Sequence, residues 1–392
     1  MRLFFVSLSS LFLLSTSSLL AQSLAADTIR RIPSSPLAFL TFAPDARSAG
    51  MGEAGVALSP DANSTYWNAA KLPYNQKDFG VSASYTPWLR NLVDDMWLGY
   101  LTAYKKIGKG QAVAASINFF NNGELDLRDA VGTHTGFFNS RELAISGTYS
   151  QQLGKNFSMG LTLKYISSNL AGNAVVNNVS LKPARTVAGD ISAFYRKQIQ
   201  NEDTGGELTW SLGAVLSNLG GKINYGSNTD TESFIPTNLK LGGGLSFTAD
   251  GRNRFNFIVD ASKLMVPTPG ATAAQNVQIN GYGSLKGAFG SFSDAPDGFK
   301  EEVQEIAVAV GAEYWYNDIF ALRAGYFGEN KNKGDRRFFT AGVGAKFLDR
   351  YNVDFAYMFP TTQGSPLAQT LRITLGLSLN KSEKLDVGDT DN

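Results

Sequence analysis

His134 is the single histidine of the chain, and no cysteine accompanies it. One imidazole without thiolates is a poor start for a structural or catalytic metal site, which draws on three or four such ligands. Ser140 and Asp129 lie near it in sequence, so a serine nucleophile with a base is the other chemistry to weigh. Loops rich in Ser and Asp produce such neighbours by chance. The missing cysteines also remove disulfides, thiolate clusters and thiol nucleophiles. Gly242, Gly243 and Gly244 form a dense glycine run, but a phosphate-cradling loop must leave a strand and open a helix. LGGGLSF lacks that setting, and its glycines read as strand positions that permit curvature or close packing. No catalytic residue, cofactor site or metal site is therefore assigned.

The elements around these residues are more informative. Arg2, an apolar run from Leu3 to Leu20 and small residues at Ala21 and Ala25 have the order of a secretory signal peptide, assigned to 1–25. After it, no apolar stretch approaches the ~18–20 residues of a spanning helix. A formal net charge of +1 argues against nucleic acid as a partner. From Phe79 onward the period is two: Phe79, Val81, Ala83 and Tyr85 alternate with Gly80, Ser82 and Ser84. The same pattern recurs in Val113–Phe119, Leu143–Tyr149 and Phe157–Tyr165. The alternation is cleanest in Leu371, Ile373, Leu375, Leu377 and Leu379.

Strands are expected near 79–90, 94–107, 110–121, 139–153, 156–168, 185–197 and 208–218. Seven more fall near 237–248, 254–264, 305–315, 319–328, 336–347, 350–359 and 369–379. About fourteen segments, each of roughly ten residues or longer, suit a transmembrane antiparallel β-barrel. The connections segregate. One end has short turns at 108–109, 154–156, 198–207, 249–253, 317–318 and 348–349. The other has long loops at 122–138, 169–184, 219–236 and 265–304, plus shorter ones at 91–93, 329–335 and 360–368. Short turns inside and long loops outside are the outer-membrane arrangement, with both termini periplasmic. The domains are then 1–25 signal peptide, 26–78 plug, 79–380 barrel and 381–392 periplasmic tail.

The segment before the first strand does not alternate. Gly50, Gly52 and Gly55 permit tight bends or close approach, and such a compact, small-residue segment ahead of a barrel reads as a plug in its lumen. Phe39, Phe42 and Met51 are expected to be shielded there, Asp45 and Arg47 to hydrogen-bond lumen groups, and Asn68 to belong to the same unit. Lys164, Asp190, Lys240, Asp260, Lys346, Asp354 and Arg372 fall on the inward series, where charge avoids lipid. Phe289, Phe292 and Phe299 in the 265–304 loop are candidate partner contacts, since aromatics anchor interfaces. Loops of that length without structure of their own tend to be functional or disordered. The charged tail is expected to be disordered.

Two stretches carry a resemblance. APDARSAGMG, Ala43 to Gly52, and SYTPWLR, Ser84 to Arg90, resemble the PorV family of type IX secretion barrels, itself similar to the FadL family of hydrophobic-compound transporters. One departure is visible: the family's usual Trp-Asn-Pro-Ala reads Trp67-Asn68-Ala69-Ala70 here, which removes a φ constraint from that turn. The resemblance implies a non-catalytic outer-membrane protein. Its implied partners are the type IX translocon channel, the C-terminal domains of secreted cargo, a surface sortase or attachment complex, and outer-membrane lipid. Its implied function is to receive cargo at the translocon and shuttle it to that complex. The alternative is FadL-type passive transport of hydrophobic small molecules.

Overall fold

The computed structural model describes residues 31–380 except 91, 129–130, 171, 173–174, 177–178, 181, 201–205, 227–231, 249, 363–364 and 366–369. The expected signal peptide and tail lie outside the described residues. Fourteen strands close into one antiparallel barrel in chain order. They are β1 (Phe79–Pro87), β2 (Trp97–Gly108), β3 (Gln111–Arg128), β4 (His134–Gln152), β5 (Phe157–Asn169), β6 (Ala184–Gln200) and β7 (Glu207–Gly220). The second half comprises β8 (Asn238–Thr248), β9 (Asn253–Leu264), β10 (Ile306–Tyr316), β11 (Phe320–Gly328), β12 (Arg337–Phe347), β13 (Tyr351–Pro360) and β14 (Leu371–Leu379). Closure joins β1 to β14, from Phe79 opposite Leu379 to Tyr85 opposite Ile373. No strand edge of the barrel is left unpaired, which is what a β-structure in hydrocarbon requires.

Alternation sets the two faces. On β5, Leu161, Leu163 and Tyr165 are exposed outward, while Ser158, Thr162 and Ile166 are buried inward. The outward series on β9, Phe255, Phe257 and Val259, continues the same apolar band. No helix among the described residues is long and apolar enough to cross a membrane; the strands do the crossing. Their inward positions mix small, polar and apolar side chains, and these are buried because the lumen is not empty.

Two expectations about loops are corrected. The stretch 122–138 is mostly strand: β3 and β4 stay paired past Asn121, with Leu125 opposite Phe138 and Leu127 opposite Gly136. Alternation weakens there, so periodicity alone stopped the strands early. The 265–304 connection is not structureless: it holds three helices, Ala273–Asn280, Ser284–Gly290 and Phe299–Gln304. Local chemistry explains the first, since Thr272 and Gln275 form a reciprocal capping box.

Candidate functional site

The plug begins with a 3-10 turn, Ala38–Thr41, and a one-turn helix, Ala46–Ala49. Asp45 caps that helix, accepting from the Ser48 amide at 2.9 Å, and its other oxygen accepts from Trp67 Nε1 at 2.6 Å. Both partners belong to the plug. Asp45 therefore holds the plug together and does not reach the wall, in contrast to the expectation from sequence. Arg47 does reach it. Its Nε and Nη2 donate to Glu313 of β10 at 3.0 and 2.9 Å, and Nη1 donates to Asp61 at 2.9 Å. Glu313 also accepts from Arg323 Nε of β11 at 2.7 Å and from Asn256 of β9 at 2.8 Å. Arg323 in turn lies 2.8 Å from Asp354 of β13.

Further contacts fix the plug around the lumen. Asp260 accepts from the Gly55 and Val56 amides at 2.7 and 2.9 Å. Thr340 accepts from the Gly52 amide, Thr374 from the Ala46 amide, and Arg372 pairs with Glu53 at 2.7 Å. Asn68 donates to Val56 and to Ala193 of β6, each at 3.1 Å, while its oxygen accepts from the Ala70 amide. Close approach is made by glycine on the wall. A Cβ at Gly311 or Gly325 would collide with Met51 or Gly52, and one at Gly242 or Gly244 with Val56 or Ala57. Gly52 itself has φ +70°, a conformation that disfavours a side chain.

Met51 and Phe39 are buried, and Phe42 is half-buried, stacked on Trp88 at 4.2 Å. Towards the long-loop end, Leu37, Phe39 and Leu40 pack with Trp88, Leu98, Phe120, Ile166 and Ile235. The chain's own apolar side chains thus fill the lumen on that side. Towards the short turns lies a polar vestibule of about 340 Å³, lined by Asp61, Tyr74, Arg196, Arg254, Lys346 and Arg350 among others. Sequence reasoning missed Glu313, Arg323, Asn256 and Glu53. The signal was parity: Ala307, Ala309, Gly311 and Glu313 alternate with Val308, Val310, Ala312 and Tyr314, which places the lone charge inward.

His134 Nδ1 meets Asp126 at 2.5 Å on the exposed β3–β4 hairpin, not Ser140. Ser140 is buried six residues further along β4, about 20 Å away at strand rise.

The second candidate surface is the cap at the long-loop end. Phe289, Phe292 and Phe299 are exposed by 55%, 44% and 83%, so the cap shows three aromatic rings rather than burying them. Val277 and Leu285 are exposed as well. The cap is nevertheless fastened. Lys263 pairs with Glu302 and Glu305 at 3.0 and 2.5 Å, and Lys333 with Glu301 and Glu305 at 2.6 and 2.8 Å. Lys333 also donates to the Arg31 carbonyl, and Gly287 lies against the Phe234 ring. Burial opposes the Lys333 charge, but the bonds it donates to Glu301 and Glu305 outweigh that and raise its pKa. Burial likewise opposes the Glu301 charge, yet Lys333 holds that carboxyl below the usual range. Burial pushes Asp294 up.

The family model for the type IX secretion system protein PorV matches residues 25–271. Among curated proteins no relative matches the chain. Solved structures are similar only at low identity. The toluene transporter TbuX of Ralstonia pickettii is 13% identical, with 86% of this chain and 98% of that one covered and a TM-score of 0.49. The toluene transporter TodX of Pseudomonas putida is 13% identical over 86% and 96%, with a TM-score of 0.47. A FadL homologue of Pseudomonas aeruginosa is 12% identical over 86% and 98%, with a TM-score of 0.42.

Proposed function

The chain belongs to the PorV family of type IX secretion proteins, and from that premise we propose that it binds the C-terminal secretion domain of cargo leaving the translocon. It then carries that cargo to the surface attachment complex containing the sortase. The barrel is an outer-membrane protein with a role in type IX secretion. In the proposed orientation the short turns and both termini face the periplasm and the fastened cap faces outward. The observation that carries the reading is the division of labour between lumen and cap. The lumen is closed by a plug bound through buried ion pairs, while the cap presents exposed aromatics on a braced platform. Such a molecule is built to dock a protein at its outer end, and the reading is non-enzymatic.

Shortening the connection between Val266 and Glu301 tests it. Loop closure depends weakly on length, so β9 and β10 remain paired and the barrel persists at normal level in the membrane. Truncating an aromatic hot spot costs about 2 kcal/mol or more of binding. The variant is therefore expected to lose capture of proteins bearing the secretion domain, which accumulate unprocessed in the cell. Unchanged cargo display with reduced uptake of a hydrophobic small molecule would favour passive transport instead.

A further inference from the structure

Two arginine side chains at the outer rim have no partner among the described residues. Arg141 on β4 and Arg185 on β6 are both exposed, while their neighbours Ser140, Glu142 and Ala184 are buried towards the lumen. Among the described residues neither guanidinium makes an ion pair or hydrogen bond. By register they flank β5: Asn169 lies opposite Arg141, and Ser167 opposite Arg185. With strands about 4.8 Å apart and a rise of about 3.3 Å per residue, the two Cα atoms are about 12 Å apart. Two extended guanidinium side chains are long enough to reach a common group over Ser167. The closest outward carboxylate by register is Glu124, diagonal to Arg141 through the Glu124–Asn139 pair, and it forms no ion pair among the described residues.

The position decides the occupant. Directly below this polar patch, on the same outward face, come Ile145, Tyr165, Leu163 and Val187, all exposed parts of the apolar band. Hydrocarbon covers those residues, so the arginines lie where acyl chains end and headgroups begin. A guanidinium fork matches a phosphate bidentately, and basic groups at that depth recognise anionic headgroups. We propose that Arg141 and Arg185 form a binding site for the phosphorylated headgroup of an outer-leaflet glycolipid. Ser167 and Asn169 supply neutral hydrogen bonds between them, and the acyl chains lie along Ile145, Leu163 and Val187. The site rests on the long-loop end facing outward, and is separate from the cap that engages cargo.

The test uses the full mature barrel in mild detergent, incubated with diphosphoryl lipid A, with retained lipid counted by native mass spectrometry. The wild type is expected to retain the phosphorylated lipid, and R141Q/R185Q to lose roughly tenfold or more through the missing charge-assisted bonds. R141K/R185K keeps the charge and retains an intermediate amount. The same lipid A stripped of phosphate is not retained, and millimolar inorganic phosphate does not displace the bound molecule. Both positions are exposed, and unchanged heat-modifiable migration on electrophoresis confirms that the variants are folded. Equal retention by R141Q/R185Q overturns the proposal, as does equal retention of the dephosphorylated lipid, which would leave only acyl-chain contact. Displacement by inorganic phosphate overturns it in favour of a free-anion site.

Discussion

Glu313 is the residue on which contact between plug and wall turns. Arg47 from the plug and Arg323 from β11 share its carboxylate, and all three side chains are buried. A buried pair need not add net stability, but removing one partner strands the other charge, at about 3–5 kcal/mol. Glu313→Gln is therefore expected to lower the temperature at which the barrel loses its heat-modifiable migration. Replacing the whole cluster, with Asp61→Asn and Asp354→Asn added to R47M/E313L/R323M so that neither carboxylate loses its arginine, is expected to recover much of that loss, because a well-packed cluster without charge often equals a buried ion cluster. Identical melting of Glu313→Gln and wild type would show that the triad contributes nothing to holding the plug. Nothing in the local sequence announced Arg47 and Glu313 as partners. They are separated by 266 residues, and only barrel closure brings β10 beside the plug.

At the level of elements, the last helix of the cap is held by charges that titrate in known directions. Glu301 has a lowered pKa, so its contribution is present above the ordinary carboxylate range and is lost as pH falls through the lowered value. Lys333 has a raised pKa, so its contribution is present below the ordinary lysine range and is lost as pH rises through the raised value. Asp294, raised by burial, works in the opposite sense to Glu301 over the acid range and offsets part of the loss. Hydrogen exchange, corrected for intrinsic rate, is expected to show residues 294–305 less protected below about pH 4 than at pH 7. β9 and β10 stay unchanged; equal protection of 294–305 at both values would refute the clasp. The strands were legible because each repeats one two-residue rule along its own length, as from Leu371 to Leu379. The helices of the cap were not, because Thr272 and Gln275 make a helix start only once Ala271 and Gly270 turn the chain into position.

For the whole molecule, the plug and the barrel behave as one body. Ala46 and Ala54 are fully buried between them, and the chain has no native cysteine to confuse a label. A cysteine placed at Ala46 or Ala54 is expected to react with a bulky, impermeant thiol reagent far more slowly in the folded protein than in the denatured chain. Equal rates would mean that the segment lies outside the lumen in solution. The contacts that enclose it also carry a consequence for assembly in time. Ala46 bonds Thr374 across 328 residues, and Glu53 bonds Arg372 across 319. The plug, which precedes β1 in the chain, finds these partners on β14, the strand furthest from it in sequence. Contacts of such separation form late, because the loop must close before they repay its entropy. The stopper is then expected to seat in the same event that zips β14 to β1, so that an open cylinder does not accumulate in the membrane.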